Sequence, residues 1–202
     1  MSRNLKTQYF LFKLRAGRDP EVFVKLYDIY VDQIYRFVYL KVSSKEEAED
    51  LTAEVFLKTW QYIQEMGAGS IDNLQAFLYQ TARNAIIDFY RTKGRESVSL
   101  NLEKQDEEGN SQLKMELVDE KQDVLEKIEL SSDIEEVKKA LQKIKEEYQE
   151  VVVLRFIEEM SVRETAEILG KSEGAVRVLL HRAIGALRKE TGTVAETEIE
   201  TA

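Results

Sequence analysis

Cysteine is absent from this 202-residue chain, which excludes disulfides, thiolate metal sites and cysteine nucleophiles together. His181 is the only histidine, so neither a Ser-His-Asp relay nor a histidine-rich metal centre is expected, and the chain is not expected to be an enzyme. One proline and nine glycines leave long stretches without a helix breaker. With 43% hydrophobic and 33% charged residues, that scarcity predicts an all-α protein. No apolar run approaches the roughly 18 to 20 residues that span a bilayer, and the opening MSRNLKTQYF lacks the apolar centre of a signal peptide. A cytoplasmic protein with no membrane insertion is the expectation.

The net charge of −9 looks unsuited to nucleic acid until it is divided along the chain. Residues 1–95 sum to +2, residues 96–136 to −10, residues 137–191 to +2 and residues 192–202 to −3. The acidity is therefore concentrated in a connector and a tail. Two near-neutral segments joined by a self-repelling stretch predict two small domains, 1–95 and 132–191, with a flexible acidic linker at 96–131 and an acidic tail at 192–202. No internal repeat is present.

In the first segment Val22, Phe23, Leu26, Tyr27, Tyr30, Ile34, Phe37 and Val38 recur at helical spacing between Pro20 and Lys41. Ser44 and Glu47 have capping-box spacing for a second helix, striped by Ala48, Leu51, Val55 and Trp60 and ended by Gly67 and Gly69. Asp72 and Gln75 are candidate caps for a third, whose Leu74, Phe77, Leu78, Ala82, Ala85, Ile86 and Phe89 face the same core. A short helix before Pro20 would make a fourth. In the second segment Ser132 and Glu135 are a candidate capping box ahead of a Val137, Leu141 and Ile144 stripe, and Val151 to Phe156 reads as core.

Residues 161–188, SVRETAEILGKSEGAVRVLLHRAIGALR, carry the most specific signal. Ser161 with Glu164 opens one helix, Gly170 supplies a left-handed turn, Ser172 opens the next, and small Ala166 lets the two helices approach. This is helix-turn-helix spacing. The outward face of the second helix presents Lys171, Glu173, Arg177, Val178, His181 and Arg182, of which Arg177 and Arg182 can reach guanine edges or phosphates in a major groove. A solvated helical hairpin is the plainer alternative, and His181 reads as an exposed residue rather than a pH sensor.

Two blocks, taken together, resemble the bacterial sigma factors of RNA polymerase, most closely the two-domain extracytoplasmic-function (ECF) group. The first block comprises FVKLYDIYVDQIYRFVYLKV, AEDLTAEVFLKTW and LQAFLYQTARNAIIDFYR; the second is VVVLRFIEEMSVRETAEILGKSEGAVRVLLHRAIGALR. The resemblance implies a region 2 type domain that binds core RNA polymerase and the promoter −10 element, and a region 4 type domain that binds the −35 element. It implies that Asp50 and Glu54 face a basic coiled coil of the largest polymerase subunit. Ala53 stands where the family usually has Gln. It further implies that Asn84 holds an extruded base of the −10 non-template strand, beside Arg83, Arg91 and Lys93 for phosphates, with Tyr79 and Tyr90 available to stack. Phe77 and Phe89 fall at core spacing, and Arg91, Lys93 and Arg95 also suit a helix C-terminus. In the second domain Lys171, Arg177, Val178, His181 and Arg182 match the groove-facing −35 positions, with part of the domain's apolar surface left for the polymerase flap. The family also implies an anti-sigma factor as partner.

The function expected is promoter-specific initiation on core polymerase, through duplex −35 recognition and single-stranded −10 capture, with no cofactor and no metal. The alternative is an autonomous helix-turn-helix regulator, which would need a dimer to read half-sites about 34 to 36 Å apart. A carboxylate-metal enzyme built on Glu46, Glu47, Asp50 and Glu54 is a third class, without a phosphate loop or nucleophile motif to support it.

Overall fold

The computed structural model describes residues 3–99 and 132–191, and among these every regular element is helical. The first domain holds α1 (Arg3–Gly17), α2 (Pro20–Tyr39), α3 (Lys45–Met66), a 3₁₀ turn (Ala68–Ser70) and α4 (Leu74–Ser99). The second holds α5 (Ser132–Gln142), α6 (Glu146–Val152), a π-helical segment (Val153–Ile157), α7 (Val162–Leu169) and α8 (Glu173–Thr191). The expected linker begins later than its sequence boundary, because α4 continues through residues 96–99; residues 100–131 and the tail at 192–202 lie outside the described residues.

Local chemistry sets the helix ends. Asp19 accepts from the Glu21 amide with Pro20 at the first position of α2, and Ser44 and Glu47 form the reciprocal capping box of α3. Gly67, at φ +81°, stops α3. Asn73, rather than Asp72 or Gln75, caps α4: its Oδ1 accepts from the Ala76 amide at 3.2 Å. The Asx side chain one residue closer to the helix is the one that reaches the third amide.

The helices of the first domain close over Ile34, Phe37, Val38, Val55, Ile63, Leu78, Tyr79, Ala82 and Ile86. Edge-to-face rings tie α2 to its neighbours, Tyr27 against Phe56 and Phe37 against Tyr79. Phe77 and Phe89 are half-buried against this core. Helix α1 adds Leu11 and Leu14 to it, and a Thr7–Tyr30 hydroxyl pair at 2.9 Å ties α1 to α2.

The second domain departs from its sequence pattern in two places. Val137 is exposed, and its neighbour Lys138 is buried with Nζ 3.8 Å from the Tyr39 ring centroid, so the inward face of α5 is set by Lys138 and Leu141, with Ile144 buried in the turn that follows. The core stripe ends at Leu154. The π segment widens the turn and carries Phe156 outward to 57% exposure.

Candidate nucleic-acid interface

The reading unit of the second domain is α7, Gly170 and α8. Ser161 and Glu164 form a capping box, and Gly170 takes φ +62°, ψ +34°, the left-handed turn expected of it. Ser172 Oγ accepts from the Ala175 amide at 3.2 Å and starts α8. Ala166, Val176, Leu179 and Ala183 are buried between the helices. Lys171, Glu173, Arg177, Val178, His181 and Arg182 are all exposed, so they form one continuous outer face. On it Arg177 is held by Glu173 at 2.9 Å, an exposed pair one helical turn apart that a DNA phosphate or base can replace at little cost.

In the first domain, the residues expected at the −10 element divide between two faces of α4. Asn84 and Arg91, seven residues apart, share an open face on which Ile87 is also 46% exposed. Arg91 pairs there with Asp88 at 2.9 Å. Lys93 is exposed and bonded to Glu47 at 2.6 Å, an interaction that holds the Glu47 carboxyl below its ordinary value. Tyr79 and Arg83 belong to another face, the one turned to the second domain. The Tyr79 ring is wholly buried, so in this arrangement it is closed to a stacking base. Tyr90 is partly exposed, with its hydroxyl donating to the Lys41 carbonyl at 2.7 Å.

Two buried glutamates of the second domain organise that covered face. Glu150, on α6, accepts a bidentate pair from Arg83 at 2.9 and 3.0 Å and a further bond from Lys41 Nζ at 2.9 Å. Glu158, just after the π segment, accepts from Arg36 at 2.7 and 2.9 Å and from the Tyr79 hydroxyl at 2.9 Å. Burial pushes the Glu150 carboxyl up, but the Arg83 and Lys41 bonds and charges outweigh it and leave it below its ordinary value. The Glu158 hydrogen bond correspondingly raises Arg36. At the edge of the contact Asn73 and Gln80 donate to the side chain and backbone of Glu167. A cleft of about 470 Å³ lies alongside, lined by Lys41, Ser43, Ile87 and Tyr90 from one domain and Gln142, Glu146 and Gln149 from the other.

Sequence reasoning missed Arg36, Lys41, Glu150 and Glu158. The available signal was local: Glu150 abuts the apolar run 151–154 and Lys41 closes the stripe of α2, both odd places for an unpaired charge. Asp50 is exposed and Glu54 half-exposed on α3, and with Ala53 and Leu57, itself 52% exposed, they make one stripe at helical spacing. Leu57 had not been singled out. Among the described residues there is no metal-ligand cluster and no helix long and apolar enough to cross a membrane.

Comparison with known proteins completes the description of these surfaces. Residues 26–96 match the family profile Sigma-70 region 2, and residues 134–187 match Sigma-70, region 4. The chain is 33% identical over 185 residues to the ECF RNA polymerase sigma factor BldN of Streptomyces coelicolor, a match covering 88% of this chain but only 62% of BldN. It is 31% identical over 174 residues to the ECF RNA polymerase sigma factor SigW of Bacillus subtilis, covering 85% of this chain and 90% of SigW. Among solved structures, CnrH in complex with the cytosolic domain of CnrY aligns with a TM-score of 0.66 at 18% identity, covering 94% of this chain and 99% of the other. The sigma factor RpoE, in complex with the anti-sigma factor NepR from Bartonella quintana, aligns at 0.59 and 22% identity, covering 85% and 98%. At those identities the two structures speak to the fold alone.

Proposed function

This chain belongs to the ECF sigma factors of RNA polymerase, and from that premise we propose how its surfaces divide the work of initiation. The domain of residues 1–95 binds core polymerase and the −10 element, and the domain of residues 132–191 reads the −35 element. The observation that carries this division is the pairing, in one chain, of an open helix-turn-helix face on α8 with an open Asn84 and Arg91 face on α4.

The chemistry of each surface suits its task. Asn84 has an amide that both donates and accepts, which fits the Watson–Crick edge of an extruded base, and Arg91 supplies charge for the adjoining backbone. Arg177 and Arg182 project from α8 as forked donors for guanine edges or phosphates, while Val178 and His181 set the intervening preference. Asp50 and Glu54 offer carboxylates, and Leu57 apolar area, to a basic partner helix of the polymerase. The protein forms and breaks no covalent bonds. Its contribution is to bring two weak DNA-binding modules to one polymerase, where linkage raises their effective concentration. Its place of action is the cytoplasm, and an anti-sigma protein that covers the polymerase-binding faces is the partner expected of it.

The test is transcription by purified bacterial core polymerase, with and without this protein, on a library of random promoter fragments. Enrichment of a two-block motif is expected. No stimulation, together with tight duplex binding by the protein alone, would instead favour an autonomous regulator.

A further inference from the structure

We propose that the outer face of α1 is a docking surface for an anionic lipid bilayer, on which the protein rests through Leu5, Tyr9 and Phe12 with Lys6 and Lys13 at the headgroups. The inference does not depend on the DNA-reading faces, and α1 precedes the residues 26–96 that match the region 2 profile.

Helix α1 is apolar on two opposite sides. Thr7, Leu11 and Leu14 lie on the inner one and are buried against the first domain. Leu5, Tyr9 and Phe12 follow one another at spacings of four and three on the outer one, and they are 57%, 47% and 69% exposed. Exposed Ala16 continues the same line, so the stripe runs about 16 Å along the helix. Single apolar side chains at a surface are ordinary, whereas three aligned on one crest leave a face without a partner.

Charge indicates what covers that face. Residues 1–18 carry five Lys and Arg and no Asp or Glu, in a chain whose net charge is −9. Lys6 and Lys13 are exposed along one margin of the stripe, with Lys13 Nζ 4.9 Å from the Tyr9 ring centroid. Arg15 stands on the other margin, where it also donates to the Ile71 carbonyl at 3.3 Å. The partner is therefore anionic and has an apolar layer directly beneath its charge. Phosphates of nucleic acid satisfy the first condition but give Leu5 and Phe12 nothing to enter. An acidic protein helix would need a groove to seat in, and this surface is a convex ridge. A bilayer interface meets both conditions: Leu, Phe and Tyr enter the acyl boundary while lysine stems lie along it and raise their ammonium groups to anionic headgroups. The bilayer is touched and not crossed, since no described helix is long and apolar enough to span it. Because the rest of the chain is acidic, attraction depends on close approach of α1 and weakens with salt.

The experiment is flotation of the full chain with vesicles of equal parts phosphatidylglycerol and phosphatidylcholine, and with vesicles of phosphatidylcholine alone. At about 50 mM salt the partition into anionic vesicles is expected to exceed that into neutral ones at least about tenfold, and most of the difference should disappear at about 0.5 M. Leu5→Gln with Phe12→Gln removes the ridge and Lys6→Gln with Lys13→Gln removes the charge; each should lower partition at least about tenfold at the lower salt. A remote pair of exposed apolar residues, Val137→Gln with Phe156→Gln, should lose less than about twofold. All these side chains are exposed, so melting should match the parent. A second reading leaves the ridge and its cations intact: the chain has no cysteine, so an environment-sensitive fluorophore on Ala16→Cys is attached there alone and should shift to the blue on anionic vesicles, whereas one on Val137→Cys should not. Equal partition into both vesicles, a ridge variant that still binds, an equal loss in the remote pair, or an unshifted Ala16→Cys label would each overturn the proposal. If the ridge and charge variants instead lose affinity for an oligonucleotide while vesicles never bind, the surface belongs to nucleic acid and the proposal fails.

Discussion

Glu150 shows how one side chain serves docking rather than folding. Truncating one partner of a buried pair usually costs about 3 to 5 kcal/mol, because the other charge stays buried and unpaired. Here the stranded charges are Lys41, with a side chain 2% exposed, and Arg83, and both regain water if the domains part. Glu150→Gln is therefore expected to open the molecule while leaving the melting of the first domain within about 1 kcal/mol of the parent, as calorimetry will show. The pH dependence has a definite sign. Glu150 sits below its ordinary value of 4.5 when docked, so its contribution is complete above that value and is lost as pH falls through the lower, docked one. Its facing groups are Arg83, Lys41 and, 3.7 Å from Lys41, Glu146. Between pH 8 and 5 the interdomain distance, read between spin labels on Gln61→Cys and Lys189→Cys, should hold, with opening only in more acid solution.

The residues proposed to touch DNA are tested by promoter choice rather than by distance. Arg177→Ala is expected to lose about 1 to 3 kcal/mol of discrimination at a −35 base, and Asn84→Ala to slow opening at the −10 element, both with core binding retained. Competition transcription on matched and mismatched promoters reads the first, and permanganate reactivity of unpaired thymines the second. The exposed outer face of α8 was legible in the sequence, because it follows from helical period and from the Ser161 and Gly170 punctuation. The covering of Arg83 and Tyr79 was not legible. Their partners lie 67 and 79 residues away, and no periodicity links such positions.

At the scale of elements, left-handed backbone turns flank α7 and invite opposite substitutions. Gly170 closes the helix at φ +62°, a conformation that a Cβ penalises by about 1 to 2 kcal/mol, so Gly170→Ala should lower the melting temperature of the second domain and weaken −35 use. Glu159 holds φ +54° with a side chain present, and Glu159→Gly should be neutral or stabilising by up to about 1 kcal/mol. Helix α3 offers a third case. Ala53 is exposed between Asp50 and Glu54, so Ala53→Gln meets no steric obstacle, and one added hydrogen bond of about 0.5 to 1.5 kcal/mol would tighten core binding by up to about tenfold in a fluorescence titration. The sequence showed where each of these helices begins and ends to within a residue or two. It did not show that Val137 and Phe156 face outward. A local pattern assigns faces by regular α-helical spacing, whereas α5 turns Lys138 onto Tyr39 and the π segment interrupts the spacing after Val152.

For the whole molecule the balance between closed and open states depends on the chain that joins the domains. Ser99 and Ser132 mark the ends of described helices, and closing the contact confines the 32 residues between them. If the connector acts only as a tether, its cost grows slowly with length: doubling it adds about (3/2)RT ln 2, roughly 0.6 kcal/mol. Inserting about 32 Gly and Ser residues into it should then lower the ratio of closed to open molecules only about threefold, as read from the spin-label distances. A connector that itself packs between the domains would respond more strongly, since the insertion would disrupt contacts as well as lengthen a loop. A fall well beyond threefold would therefore assign part of the closure to the connector, and a threefold fall would leave it to Glu150, Glu158 and the surface they cover.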